Sequence, residues 1–416
     1  MGDSLLESLP RPADPGADVA GVVSEIIGDV RREGDDALRR LTARFDGHDL
    51  TTIQVDPSEV EAAVGRIELP LRRALETAYD RIVRYHSHEA PALEAFEDAG
   101  LRVHHREVPV DRAGCYAPGG RARYPSSVLM CAGPARVAGV ASLALCVPAG
   151  PDGRIDDATL AAAWIAGIDE VFAIGGAQAI AAMAYGTESI APVDVIVGPG
   201  NAYVAEAKRQ VSGAVGVASG FAGPSEIVVI GDASTPPELA AIDLMVQAEH
   251  GPDGMAWLVT WDEELARRVD EELDRLIELA PRREDLLKTM AASGVVCLVD
   301  DATAALAVSN AIAPEHLELL VEDYDLLAEG VRAAGAVFCG IDAPATLGDY
   351  AAGPNHILPT NRTARFASAL RADDFRRHIH IVEVSRSAFD ELAPTVIALA
   401  ESEGLAAHAD SIRMRQ

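Results

Sequence analysis

Residues 167–210 read GIDEVFAIGGAQAIAAMAYGTESIAPVDVIVGPGNAYVAEAKRQ, and two aliphatic runs within them each stop at glycine before a helix-like segment. Residues 170–174 have the composition of a short strand, and Gly175-Gly176 opens a helix over 177–185. Residues 193–197 repeat the strand, and Gly198-Pro199-Gly200 opens a second helix reaching about Gln210. Just upstream, 142–147 reads as a strand and 157–167 as a helix. Strands alternating with helices predict a parallel sheet with its ligand at the carboxyl ends of the strands.

Toward the amino terminus, Val22, Val23, Ile26, Ile27, Val30, Leu38, Leu41 and Phe45 recur at helical spacing, and the break at Arg32-Glu33-Gly34 predicts two helices. Helical spacing returns over 57–87, and 101–110 reads as a strand leading into a loop over 114–120. Toward the carboxyl terminus, 226–230, 255–260, 294–299 and 336–339 read as strands, with helices over 236–249, 302–312 and 326–334. From residue 370 the chain reads as a separate arm. The expected fold class is therefore α/β: two incomplete Rossmann-like parallel-sheet domains and a small C-terminal helical arm. No short repeat or low-complexity linker interrupts it.

The chain has 416 residues, enough for two or three domains, and its 49 % hydrophobic and 5 % aromatic content suits aliphatic sheets. Sixty-five acids against 35 lysines and arginines leave a net charge of −30, and Lys208 and Lys288 are the two lysines. The acids are spread along helical segments, for example Asp262-Glu263-Glu264 and Asp270-Glu271-Glu272, so they read as a solvated surface that salt would screen. A halophilic source is expected. No basic face is available for nucleic acid. The apolar stretch 137–149 is shorter than the ~20 residues a membrane-spanning helix needs. Five cysteines form no C-x-x-C pair, and with no signal peptide visible a reducing cytoplasm is expected.

Three features carry chemistry. The glycine turns at 175–176 and 198–200 could admit a pyrophosphate to a helix N-terminus, but neither completes G-x-G-x-x-G, and they serve equally well as tight turns. Gln247 and His250 are three apart at a helix end and share a face. With Asp349, His356 and His408 they offer nitrogen and oxygen donors without thiolate, a set that suits zinc or manganese, although spacing alone does not select them. Glu315-His316, after Pro314, is either an acid–base pair or a helix N-terminus with proline in its first turn.

Taken in order, these segments resemble the histidinol dehydrogenase family from about Val22 to His408. The resembling runs are CYAPGG (115–120) with YPSSV (124–128), GAQAI (176–180), GPGNAYV (198–204), AGPSE (222–226), QAEHGP (247–252), APEHL (313–317), GDY (348–350) through LPT (358–360), and EGLAAH (403–408). The resemblance implies Gln247, His250, Asp349 and His408 as zinc ligands and Glu315 with His316 as the acid–base pair. Ser225, His356 and Glu403 would contact substrate alongside Gln247, His250, His316, Asp349 and His408, and Tyr116, Gln178 and Asn201 would contact NAD. It further implies a homodimer whose C-terminal arm reaches the neighbouring site. The implied domains are 1–113 with 226–369, carrying zinc and catalytic residues; 114–225, binding NAD; and the arm, 370–416. The surface is more acidic than is usual for the family, and the segment before Asp18 is short.

The implied reaction oxidises L-histidinol to L-histidine through bound L-histidinaldehyde, with two NAD and zinc as a template. His316 would accept the hydroxyl proton, Glu315 would activate water on the aldehyde, and His316 would take a proton again. A thiol route through Cys115 or Cys131 is the rival second step. A paralogue acting on another polar alcohol and a zinc hydrolase are the competing functions.

Overall fold

The computed structural model describes residues 9–10, 18–89, 95–119, 123–168, 170–218, 225–249, 251 and 254–416. They fall into two compact units, one formed by 1–89 with 111–375 and the other by 90–110 with 376–416. The first two strands, β1 (Phe96–Asp98) and β2 (Leu101–Pro109), belong to the smaller unit.

The larger unit contains two five-stranded parallel sheets. The first holds β3 (Arg112–Tyr116), β4 (Ser142–Cys146), β5 (Glu170–Phe172), β6 (Val195–Val197) and β7 (Gly216–Val217), in the order β5-β4-β3-β6-β7. The second holds β8 (Glu226–Gly231), β9 (Met255–Thr260), β10 (Gly294–Leu298), β11 (His316–Leu320) and β12 (Ala336–Cys339), in the order β10-β9-β8-β11-β12. Each sheet grows outward from its first strand and then returns to that strand's other side. Each thus has a switch point, between β3 and β6 and between β8 and β11, where a crevice opens at the carboxyl ends.

The strands read as continuous aliphatic runs because both faces are covered. Val228, Ile230, Trp257, Val259, Leu317 and Leu319 pack into one layer of the second sheet, while Ile227, Val229, Leu258 and Leu320 pack into the other. Strand period alone assigns them. Residues 112–116, expected within strand-to-loop sequence, form the central strand of the first sheet. The expected helix over 326–334 is the single turn and a half Tyr324–Glu329.

Residues 18–88 form four helices, Asp18–Glu33, Asp35–Phe45, Pro57–Arg66 and Leu69–His88. The first break is at Gly34, φ 54, where a Cβ would strike the Glu188 carboxylate that accepts the Asp35 N–H at 2.8 Å. These helices, grouped from sequence with 226–369, pack on the first sheet's half instead. Asp18–Glu33 lies against Gly176–Tyr185 and Ala202–Val211, and Leu69–His88 against Pro125–Ala138. Two further helices accompany the second sheet: Glu263–Leu279, whose acids already read as a helical segment, and Arg283–Ser293, which was unassigned from sequence.

In the smaller unit β1, β2 and β13 (Arg376–Val384) form an antiparallel sheet in the order β1-β2-β13, followed by helices Arg386–Ser402 and Ala406–Arg413. The arm expected to be helical from 370 therefore begins with a nine-residue strand, in register from Arg376↔Pro109 to Val384↔Leu101. Among the described residues no helix is long and apolar enough to cross a membrane.

Candidate active site

Glu315 and His316 stand where the chain enters β11. The helix Ala302–Ile312 ends at Ala313 in a left-handed turn, φ 53, and Pro314 prevents its continuation. No helix starts at Pro314, so the pair is not a helix cap: His316 is the first residue of a buried strand. Its Nδ1 lies 3.6 Å from Glu315 Oε2, and its Nε2 lies 3.5 Å from Asp349 Oδ1. Asp349 comes from the short helix Ala345–Tyr350. The imidazole stacks on Phe338, with ring centres 6.1 Å apart.

Charge and burial compete here. Burial pulls the His316 pKa down, but the carboxylates of Glu315 and Asp349 outweigh it and hold the imidazole at about 9. Burial raises the Glu315 pKa, opposed by His316, the Glu226 backbone N–H at 3.1 Å and the Ser225 hydroxyl. Glu226, the first residue of β8, is also buried. Desolvation and then repulsion by Glu315 push it up to about 8, against hydrogen bonds from the backbone N–H groups of Arg362 and Asn361. Asn361 and Arg362 both adopt left-handed backbone, φ 51 and 64. Two consecutive non-glycine residues in that region cost energy, and here they aim two donors at one carboxyl.

His356 joins the two sheets' halves. Its Nδ1–H donates to the Asp349 carbonyl at 2.8 Å, which leaves Nε2 as acceptor for the Ser127 hydroxyl at 3.3 Å. Asn355 anchors the same loop, donating to the Met130 carbonyl at 2.7 Å and accepting the Ile357 N–H at 2.9 Å. Gln247 is buried at the end of helix Pro237–Ala248, and its Nε2 has no partner among the described residues. It faces Gly254, where a Cβ would meet that nitrogen at 3.1 Å and the Ser225 carbonyl at 2.5 Å.

Of the expected metal ligands, Asp349 is therefore at His316 and Gln247 beside the Ser225 backbone. His250 lies outside the described residues. Glu403 and His408 lie exposed in the smaller unit, on either side of Gly404. Among the described residues no three His, Cys, Asp or Glu converge as a metal group. The donor chemistry suits zinc, and the buried, unpartnered Gln247 amide is an oxygen donor once its two ends are exchanged.

The second cluster lies at the carboxyl ends of the first sheet. Tyr116 ends β3, and its hydroxyl accepts the Gly176 N–H at 3.1 Å. Burial lifts that phenol to about 12. Gln178 is buried two residues on, in the helix Gly176–Tyr185. Asn201 caps the helix Ala202–Val211, its Oδ1 accepting from Tyr203 and Val204 at 3.1 Å each. Gly198, φ 114, presses so closely on Tyr116 that a Cβ would lie 2.0 Å from the Tyr116 carbonyl oxygen. Strands β3 and β6 thus bring Tyr116 and the 198–201 turn together at the switch point.

Both cysteines of the rival route are fully buried. A hydrogen bond with Cys131, then burial, drives the Cys115 thiol well above its ordinary pKa, which disfavours the thiolate a nucleophile needs.

Residues the sequence did not single out are Glu226, Phe338, Ser127 and Asn355. Glu226 had a signal, a lone acid opening the aliphatic run EIVVIG. The other three are placed only by packing between distant segments.

The two-sheet α/β architecture recurs among solved structures. A solved acetylating aldehyde dehydrogenase from Geobacillus thermoglucosidasius shares it with a TM-score of 0.51 at 12 % identity, over 89 % of this chain and 98 % of that one. Much greater likeness exists within one family. The histidinol dehydrogenase family matches residues 9–416. Histidinol dehydrogenase of Rhodospirillum rubrum is 48 % identical over 402 residues, covering 96 % of this chain and 92 % of that protein. That of Gluconobacter oxydans is 46 % identical over 400 residues, covering 95 % and 93 %. The crystal structure of histidinol dehydrogenase from Elizabethkingia anophelis gives a TM-score of 0.95 at 34 % identity, covering 99 % of this chain and 96 % of that one. The chain belongs to the histidinol dehydrogenase family and is an oxidoreductase.

Proposed function

We propose that this protein oxidises L-histidinol to L-histidine through bound L-histidinaldehyde, the last steps of histidine biosynthesis, using two NAD and one zinc per subunit. The observation that carries the reading is His316, buried between Glu315 and Asp349, where one imidazole faces a prospective base and a prospective metal ligand. Gln247, His250, Asp349 and His408 would hold zinc, and Tyr116, Gln178 and Asn201 would contact NAD. When bound, NAD supplies a hydride acceptor for each oxidation and zinc supplies a template for the substrate's imidazole and amine.

The chain's own residues move the protons. With its pKa held at about 9, His316 is the free base only toward alkaline pH, and in that form it accepts the proton of the substrate hydroxyl while its two carboxylate neighbours stabilise the imidazolium that results. Glu315, positioned by Ser225 and the Glu226 N–H, takes a proton from the water that adds to the aldehyde. His316, having released its first proton to solvent, then takes the proton of the hydrate. His356, oriented by Asp349 and Ser127, and Glu403 would hold the substrate. The working form is a homodimer in the cytoplasm, with the C-terminal arm completing the neighbouring site.

Incubation of the zinc-loaded protein with limiting L-histidinol and excess NAD tests this. Two NADH and one histidine per histidinol are expected. One NADH with release of an aldehyde would indicate a simple alcohol dehydrogenase, and no NADH with any polar alcohol would point to a zinc hydrolase.

A further inference from the structure

Lys208 is one of two lysines in a chain that otherwise uses arginine, and it is fully buried in the helix Ala202–Val211. Lys288, the other, is exposed. The Lys208 ammonium donates to the Gly198 carbonyl, the only acceptor it has among the described residues. Among the described residues no carboxylate is paired with it. The titratable group that faces it is the Cys131 thiol, and burial lowers its pKa to about 8.

This is a poor arrangement for stability alone. An ammonium has three donors, and among the described residues two of them have no acceptor; a buried cation without a counter-charge is worse than an apolar side chain of the same length. The residue type is informative too. A compact ammonium on a flexible stem can reach a single carbonyl inside a packed helix, where a planar guanidinium with five donors could not be satisfied. What it reaches is the first residue of the 198–201 turn, whose backbone lies against Tyr116 and whose last residue caps the same helix.

We propose that Lys208 is the positioning residue of the dinucleotide turn: it clamps the Gly198 carbonyl from inside, fixes residues 198–201 against Tyr116, and sets a buried positive charge behind the turn that receives the anionic pyrophosphate. The inference rests on reading that turn as the NAD site.

The test compares wild-type, Lys208→Met and Lys208→Gln enzymes, all zinc-loaded, by NAD titration calorimetry, steady-state kinetics and thermal melting. Lys208→Met is expected to raise the Kd and KM for NAD at least tenfold, leave the KM for histidinol within twofold, and melt no lower than wild type. Lys208→Gln, which keeps a neutral donor for the Gly198 carbonyl, should recover part of the lost NAD affinity. NAD affinity unchanged in both variants overturns the inference while leaving the proposed function standing. So does an equal loss for NAD and histidinol with a lowered melting point, which would make Lys208 a packing residue. If Lys208→Met does not fold, Lys208→Gln carries the same comparison. Wild-type enzyme that does not bind NAD removes the functional reading and this inference together.

Discussion

His316 has a carboxylate on each side, and the two cannot do the same work. Glu315 is fixed by the Glu226 N–H that opens β8 and by the Ser225 hydroxyl just before it, whereas Asp349 arrives on a short helix and also orients His356 through its carbonyl. Removing the imidazole should therefore abolish proton transfer without dismantling the site around it. His316→Ala is expected to lower turnover by about 10²–10⁴-fold, with zinc content by atomic absorption and NAD affinity unchanged; turnover within threefold of wild type would remove His316 from the mechanism. The acid–imidazole pair was legible as a dipeptide, but its chemistry was not. Only the structure shows that Pro314 ends a helix, that the pair opens a strand, and that Asp349, 33 positions after His316, completes it.

Strand β11 carries a second acid, Glu318, whose role is decided by the elements packed on it. Glu318 accepts the Ala345 N–H at 2.6 Å and faces Asp243 of the helix Pro237–Ala248. Burial, then repulsion by Asp243, raises it to about 8. A carboxyl with a raised folded pKa holds its proton in the native state after the unfolded chain has released it. Its contribution is most favourable below the unfolded value near 4 and is lost as pH rises toward 8. Glu318→Gln keeps the shape and removes this loss. Relative to wild type, the variant should gain stability from pH 6 to pH 9, read from urea melts at both pH values. A difference that does not grow with pH would show that the pair does not hold a proton. At this scale sequence reading did well where the pattern was periodic or punctuated: 255–260, 302–312 and 336–339 fall on β9, Ala302–Ile312 and β12. It failed where composition hides period. The helix Pro125–Ala138 is buried nearly all round and presents no polar face, and β13 is exposed along its length, so neither showed a one-sided stripe.

For the whole molecule, charge is the first consideration. A net charge of −30 should make the midpoint of thermal unfolding rise between low and molar salt, as screening relieves self-repulsion; an unchanged midpoint would end the halophilic expectation. Assembly is the second. If the C-terminal arm completes the neighbour's site, each pocket combines Asp349 of one chain with His408 of the other. Homodimers of Asp349→Ala or of His408→Ala would then lack one ligand in every pocket and be nearly inactive. In a mixed dimer both lesions fall in one pocket, and the other is intact. Unfolding and reassociating an equal mixture should recover about a quarter of wild-type activity, because half of the dimers are mixed and each has one good pocket, given random pairing and independent sites. An arm that serves its own chain gives each mixed dimer one lesion per pocket, so nothing is recovered. Wild-type protein taken through the same refolding sets the scale, and native mass spectrometry counts the mixed dimers. Mixed dimers in the expected number with no regained activity would place His408 in the site of its own chain.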